Sequence, residues 1–235
     1  MYDDLAGWFH LLTAPEEYAE EAGLILGLLR EEAVGPVETL LELGSGGGNT
    51  ASHLREHVRP TLADVAPRML DLSSELNPDC EHLLGDMRSL RLGRVFDTVM
   101  IHDAICYMTT ADDLRAAFET AFVHLRPGGA ALFAPDHVRE TWHAATEHGG
   151  YDGEGRALRY LEWSWDPDPS DTTYAVDFAI LVREGDDVVR AVHERHVLGL
   201  FPRSTWLDLL GATGFAARIV EDRWERDLFV CRRPA

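Results

Sequence analysis

The feature that most constrains the fold is a regular alternation of short apolar runs with helical segments between residues 37 and 136. Five runs have the length and composition of strands: "VETLLEL", "RPTLADV", "CEHLLGD", "VFDTVMIHD" and "AALFAPD". Two more, "AARIVED" and "RDLFVCRR", close the chain as an antiparallel pair. Strands that alternate with helices favour a parallel sheet with helices on both faces. We therefore expect an α/β fold with a doubly wound, mostly parallel sheet of seven strands.

Capping signals place helices on the connections. Residues 13–33 have helical apolar spacing, with Thr13 as the expected N-cap and Pro15 in the first turn. Thr110 is placed to cap the helix before the fifth strand. In "FPRSTWLDLLGATGF" a helix would start near Pro202 and end at Gly214. These helices alternate with the strands, as the expected fold requires.

Residues 137–200 break this rhythm. They contain the aromatic, β-rich runs "LRYLEWSWD", "TYAVDFAILVRE" and "VVRAVHERHVLGLF", separated by the turn sequences "PDPSDT" and "EGDD". Consecutive strands joined by short turns indicate antiparallel pairing. We expect residues 1–136 and 201–235 to form the core and residues 137–200 to form a β-rich cap over a substrate.

The net charge of the chain limits the classes of molecule that it is expected to bind. With 41 Asp and Glu against 21 Lys and Arg, the formal net charge is −20, which disfavours a nucleic-acid partner. A neutral or cationic small molecule suits this balance better. No apolar run is long enough to span a membrane, so no membrane partner is expected. The start of the chain lacks a signal-peptide pattern, and the three cysteines form no CxxC motif, so we expect a cytoplasmic protein.

A glycine cluster, "ELGSGGGNT" (residues 42–50), follows the first strand and precedes a helix. Glycines there let the backbone turn sharply and approach a ligand at the positive end of the helix. A dinucleotide loop has a third glycine at the position that Asn49 occupies, so the nicotinamide or flavin pattern is incomplete. Glu42, two residues before the first glycine, would repel a pyrophosphate but would attract an α-amino group or a sulfonium.

Two more carboxylates end neighbouring strands. Asp64 ends the second strand, about twenty residues after the loop, where it could accept hydrogen bonds from ribose hydroxyls. Asp86 ends the third strand and could accept a hydrogen bond from the exocyclic amine of adenine. The loop and these carboxylates together indicate an adenosine ligand with a positively charged tail.

Together with "GDM", "FDTVMIHD" and "LRPGGAALF", these motifs resemble those of class I S-adenosyl-L-methionine-dependent methyltransferases, which share a Rossmann-like fold. "EEYAEEA" and "LFPRSTWLDLLGATGF" look similar to actinobacterial small-molecule enzymes, in particular amino-sugar N,N-dimethyltransferases. The resemblance implies an N-terminal lid helix and S-adenosylmethionine as cofactor. It implies cofactor contacts at Glu42, Gly44, Ser45, Gly46, Asn49, Asp64, Val65, Met69, Asp86, Met87 and His102.

Reacting groups in a doubly wound fold lie beyond the carboxyl ends of the strands. The tail of the fourth strand supplies His102, Asp103 and Tyr107, and the tail of the fifth supplies Asp136 and His137. We expect the catalytic residues to be His102, Asp103 and His137, with either histidine as general base. A structural role for each of these residues stays open. The expected substrate contacts are Trp8, Tyr107, Asp136, Tyr160, Trp163 and His196.

No metal site is expected. His193 and His196 are three apart on an extended strand, so they would point to opposite faces. His53 and His57 could share a helix face, but a solvated face is the simpler interpretation because no third ligand is apparent.

The leading hypothesis is a methyltransferase that acts on a nitrogen or oxygen of a small molecule in secondary metabolism, in a chain that forms a homodimer. Two alternatives remain. A nicotinamide-dependent oxidoreductase would use the glycine loop differently, and a regulatory protein would bind S-adenosylmethionine without transferring its methyl group.

Overall fold

The computed structural model describes residue 2, residues 4–185 and residues 188–235. Its α-helices are α1 (Phe9–Leu12), α2 (Ala19–Glu32), α3 (Asn49–Leu54), α4 (Pro67–Leu76), α5 (Ala111–His124) and α6 (Arg203–Thr213). Short 3₁₀ helices cover Ala6–Trp8, Pro15–Tyr18 and Ala104–Tyr107. The strands are β1 (Thr39–Leu43), β2 (Arg59–Asp64), β3 (Glu81–Leu84), β4 (Phe96–His102), β5 (Leu125–Ala134), β6 (Ala145–Gly149), β7 (Asp152–Gly153), β8 (Arg156–Trp165), β9 (Thr173–Glu184), β10 (Val188–Gly199), β11 (Ala216–Glu221) and β12 (Asp227–Arg232).

Seven strands form the first sheet, in the order β11-β12-β5-β4-β1-β2-β3. β1 to β5 run parallel, and β12 pairs antiparallel with both β5 and β11. The predicted fold class is therefore confirmed. The strand order reverses between β1 and β4, so a crevice opens at their carboxyl ends, where doubly wound folds bind ligands.

Apolar side chains bury both faces of this sheet. On one face, Ile25 and Leu29 of α2 pack with Leu40 and Met100. On the other, α5 and α6 contribute to a larger cluster in which the rings of Phe118 and Phe133 lie 4.7 Å apart. These two layers hold the strand ends, and so the loops that follow them, in fixed positions.

The second sheet is antiparallel, in the order β10-β9-β8-β6, and β7 pairs with β8. The predicted antiparallel arrangement of this region is thus correct. Part of the predicted "EGDD" turn, residues 186 and 187, lies outside the described residues. The N-terminal segment packs against the same sheet, because Leu5 and Trp8 form a cluster with Leu158, Ile180 and Val182.

Two local predictions were wrong. Thr13 is not an N-cap: the segment starts as a 3₁₀ helix at Pro15, and the Ala14 amide donates to the Glu17 carboxylate over 3.0 Å. The fifth strand does not begin with "AALFAPD": β5 starts at Leu125, and its register with β4 shifts between Leu125 and Ala130. Thr110 does cap α5, accepting from the amide of Asp113. Among the described helices, none has the length and apolar character needed to cross a membrane.

Candidate functional site

A cavity of about 790 Å³ lies between the carboxyl ends of β1, β2 and β4, the N-terminal segment and the inner face of the second sheet. We call the part beside the glycine loop the cofactor side and the part beneath the second sheet the acceptor side. Cavities of this size and composition are typical of small-molecule sites.

The glycine loop is shaped for close approach. Gly44 has a φ of +77°, and a Cβ added there would lie 2.3 Å from the Cβ of Ala104. A Cβ on Gly47 would lie 2.8 Å from the Phe9 ring. Gly48, also at a φ of +77°, forms the N-cap of α3. Only glycine fits at Gly44, so the loop presents bare backbone to the cavity.

Glu42 stands at the end of β1 with only 3% of its surface exposed. Its Oε2 is buried and has no hydrogen-bond partner among the described residues. Burial raises the pKa of this carboxyl to about 8, with Asp64 and Asp103 adding to the shift against a lowering contribution from His102. An unpaired buried carboxyl is costly unless a ligand supplies the missing charge. Glu42 thus fits a ligand that carries an ammonium group.

Asp64 shapes the loop as well as facing the cavity. Its carboxylate accepts from the amide of Gly46 and from the amide of Ala66, both over 2.8 Å. A carboxylate has about four acceptor positions, so capacity remains for ribose hydroxyls. Asp86 is paired with Arg88, which also contacts Asp113. Its side-chain hydrogen bond to Arg88 lowers the pKa of Asp86.

His102 is held as a cation. Its Nε2 lies 2.9 Å from Glu21 Oε1 and 3.1 Å from Asp103 Oδ1. Burial acts to lower the pKa of His102, but the carboxylates of Asp103 and Glu21 outweigh it and raise that pKa to about 9. Glu21 also pairs with Arg226. This environment favours the imidazolium, which has no free site to accept a proton.

His137 has the opposite environment. Burial lowers its pKa, with Asp136 opposing the shift. Burial and the charge of Asp103 raise the pKa of Asp136 to about 7. Both side chains line the cavity. A neutral imidazole that faces a cavity can accept a proton, so His137 suits the role of general base better than His102 does.

The second sheet lines the acceptor side with one face, which we call the cap face. Side chains on this face alternate along each strand with outward-pointing ones, as strand geometry requires. The cap face contains Glu147, Tyr160, Glu162, Ser164, Tyr174, Val176, Phe178, His196 and Leu198.

Tyr160 and Trp163 were both expected to contact the substrate, but they lie on opposite faces of the second sheet because their positions differ by an odd number. Tyr160 lines the cavity, whereas Trp163 is 52% exposed on the outer face and stacks on Trp165 at 5.8 Å. Trp8 also lies outside the cavity lining, since it is buried in the cluster with Leu158 and stacks under Arg156.

A hydrogen-bonded chain joins the N-terminal segment to the cap face. The Tyr2 hydroxyl lies 2.7 Å from the Tyr107 hydroxyl, which lies 2.5 Å from Nδ1 of His196. His193 points away and contacts Asp177 instead, as the strand period predicted. These hydrogen bonds connect three separate segments at the cavity wall.

All the expected site residues except Trp8 and Trp163 line the cavity. Sequence reasoning missed Tyr18, Glu147, Glu162, Tyr174, Phe178 and Arg226, which also line it. A strict two-residue count from Tyr160 would have found Glu162; nothing in the local sequence marks Arg226. In the part of the chain that the structure describes, no group of three potential ligands could hold a metal ion.

Comparison with known proteins agrees with this geometry. Residues 40–129 match a methyltransferase domain family. The chain therefore resembles methyltransferases over this range. It is related to actinobacterial sugar N,N-dimethyltransferases: over 129 residues it is 31% identical to dTDP-3-amino-3,4,6-trideoxy-α-D-glucopyranose N,N-dimethyltransferase of Streptomyces venezuelae, covering 54% of each chain. The chain thus spans about half the length of that curated relative.

Solved structures extend the similarity to the whole fold. Streptomyces venezuelae DesVI is 25% identical, with a TM-score of 0.86 that covers 99% of this chain and 98% of that one. CalS10 from Micromonospora echinaspora, an amino pentose methyltransferase solved with S-adenosylmethionine bound, is also 25% identical. Its TM-score is 0.76, over 93% of this chain and 90% of that chain. The S-adenosylmethionine bound to CalS10 supports the same cofactor for the cavity described above.

Proposed function

We propose that this protein transfers a methyl group from S-adenosylmethionine to an amine nitrogen of a small molecule in secondary metabolism. The observation that carries the proposal is the cofactor side of the cavity. There a buried, unpartnered Glu42 stands beside a loop that admits only glycine at Gly44. The names of the related sugar N,N-dimethyltransferases favour nitrogen over oxygen as the acceptor atom.

Glu42 would pair with the α-ammonium of the methionyl group, and Asp64 would accept from the ribose hydroxyls. Asp86, with Met87, would contact the adenine, and Ser45, Asn49, Val65 and Met69 complete the lining of this side. The cofactor supplies an electrophilic methyl group on a sulfonium. The cavity wall holds the acceptor in line with that group and excludes water from it.

Proton handling falls to the tail of the fifth strand. An ammonium must lose its proton before its nitrogen can attack, and the neutral imidazole of His137 would receive that proton. Asp136 beside it would stabilise the imidazolium that forms. His102 and Asp103, held with Glu21, would instead position the wall between the two sides of the cavity.

Calorimetry tests the cofactor assignment. S-adenosylhomocysteine should bind with a dissociation constant in the micromolar range, and Asp64→Ala should abolish the binding. Glu75→Ala, a change on the exposed surface of α4, is the matched control. Absence of S-adenosylhomocysteine binding would refute the proposal. Binding together with no transfer to any amine would favour the regulatory alternative.

Three further expectations belong to this proposal. We propose that residues 137–200 act as a substrate cap on the core, that the protein is cytoplasmic, and that it forms a homodimer. The outer face of the second sheet supports the dimer, because Leu161, Trp163 and Leu181 expose about half of their surface there. Sedimentation equilibrium of Trp163→Glu would test it: a dimer that persists unchanged would exclude this face as the interface.

A further inference from the structure

Two carboxylates occupy the middle of the cap face. Glu162 on β8 and Glu147 on β6 are direct partners in the antiparallel register, and both line the cavity. Like charges directly opposite each other destabilise a strand pair. Their presence in a cavity wall therefore calls for a compensating charge.

The described residues do not supply that charge at Glu162. The part of the chain that the structure describes makes no ion pair or side-chain hydrogen bond to the Glu162 carboxylate. Burial, followed by the charges of Glu147 and Asp136, raises the pKa of Glu162 to about 7. A cation bound at this place would be stabilised by both carboxylates.

Aromatic rings lie on the same face of the sheet as these carboxylates. Tyr160 and Phe178 flank Glu162 on the cap face, with ring centroids 6.1 Å apart, and Tyr174 lies on the neighbouring strand. Aromatic faces attract cations through the ring quadrupole. Carboxylates and rings thus point independently to a positively charged ligand.

The described residues of the cavity wall offer nothing comparable to an anion. Among the described residues, the guanidiniums of its wall are those of Arg88 and Arg226. Arg88 is paired with Asp86 and Asp113, and Arg226 is paired with Glu21 and Asp222. Burial lowers the pKa of His137 and of His196, so both favour the neutral form. Among the described residues, a diphosphate here would find no unpaired guanidinium.

We infer that the acceptor is an amine without phosphate, whose ammonium binds between Glu147 and Glu162. The inference rests on the proposed function and specifies the acceptor class of the same site. It separates this chain from the relative named above, whose substrate is a nucleoside diphosphate sugar. The two proteins would bind the same cofactor on the cofactor side. On the acceptor side, this chain would select a substrate without the negatively charged diphosphate.

A matched pair of probes tests the inference. Methyl 3-amino-3,4,6-trideoxy-α-D-glucopyranoside and the dTDP form of the same sugar carry the same amine and differ in the diphosphate. Each is titrated by calorimetry at pH 7 and physiological salt into protein saturated with S-adenosylhomocysteine. We expect the glycoside to bind at least tenfold more tightly than the dTDP sugar.

Variants locate the effect. Glu162→Gln should weaken glycoside binding at least tenfold and leave S-adenosylhomocysteine binding unchanged. Glu147→Gln removes the more exposed partner and should give the same direction of change, which keeps the test valid if Glu162→Gln unfolds. Glu154→Gln, an exposed change outside the cavity in the same part of the chain, should have no effect.

Each contrary result has a distinct meaning. Equal or tighter binding of the dTDP sugar would overturn the inference and leave the proposed methyl transfer standing. Failure of the glycoside to bind would overturn the ammonium site. Failure of S-adenosylhomocysteine to bind, seen before any sugar is added, would overturn the proposed function and this inference with it.

Discussion

The two sides of the cavity are built in different ways. The cofactor side is backbone: the glycine loop and the ends of β1 and β2, with Glu42 buried behind them. The acceptor side is a face of side chains on regular antiparallel strands. The family match, residues 40–129, covers the first and ends before the second. The geometry of the loop tolerates few substitutions, whereas side chains on a regular strand can be replaced one at a time. Related proteins can therefore differ in the acceptor that they bind while they keep the same cofactor.

Gly44→Ala changes the glycine loop of the cofactor side and should have the largest effect on binding. The new Cβ would collide with Ala104 at 2.3 Å in a left-handed backbone conformation. We expect the affinity for S-adenosylhomocysteine, measured by calorimetry, to fall about a thousandfold, or about 4 kcal/mol. Gly93→Ala is the control, since Gly93 has a φ of +67° with no atom near its Cβ position. A loss below tenfold for Gly44→Ala would show that the loop can shift.

Glu21→Gln tests the ion pairs that separate the two sides. Removing one partner of a buried ion pair costs about 3 kcal/mol. We expect the free energy of unfolding of Glu21→Gln, measured in urea, to fall by about this amount. His102, with its pKa raised to about 9, stabilises the fold fully below about 6.5 and loses this effect as the pH rises through 9. Glu21, with its pKa lowered to about 2, stabilises above about 4.5 and loses its effect as the pH falls through 2.

The difference between wild type and Glu21→Gln should therefore be widest between about pH 4.5 and 6.5 and should shrink toward pH 9. Glu20→Gln is the neighbouring control. Glu20 forms an exposed pair with Arg223, and such pairs contribute less than about 1 kcal/mol. A pH-independent difference would contradict the assigned charge states.

His137→Asn tests the acceptor side for proton transfer. General-base catalysis contributes about a hundredfold or more to a rate, so kcat for methylation of the amino-sugar glycoside should fall by about that factor. Because burial lowers the pKa of His137, the wild-type rate should decline only below about pH 6.5, as the imidazole gains its proton. The variant should lose this decline. His148→Asn, on the outer face of β6, should change neither quantity.

Glu42→Gln tests the charge on the cofactor side. Free Glu42 is protonated at pH 7, because burial raises its pKa to about 8, and an incoming ammonium should lower that pKa. Binding of S-adenosylhomocysteine should then release a proton, seen as a calorimetric enthalpy that varies with the buffer. Glu42→Gln should remove this dependence and weaken binding about tenfold. Glu38→Gln, an exposed neighbour, should retain the buffer dependence.

The residues of the cofactor side could be predicted from the sequence because the motifs that mark them are local in the chain. Glu42 and the glycines are adjacent in the chain, and Asp64 and Asp86 end the next two strands. The state of His102 could not be predicted in this way, because its partner Glu21 lies 81 residues earlier and Arg226 far later in the chain. Trp8 was misplaced for a similar reason: whether an aromatic residue faces a cavity or a core depends on which surface the N-terminal segment packs against.

Substitutions at Tyr160 and Trp163 have the smallest expected effect. They test the cap face directly, because the two residues lie three positions apart on one strand and therefore point to opposite faces of the sheet. Tyr160→Leu removes a ring from the cavity wall and should raise KM for the amino-sugar glycoside about fivefold, as expected for one aromatic contact. Trp163→Leu makes the matched change on the outer face and should leave kcat and KM unaltered. Equal effects of the two substitutions would mean that the acceptor does not lie under the second sheet, and the division of the cavity into two sides would fail.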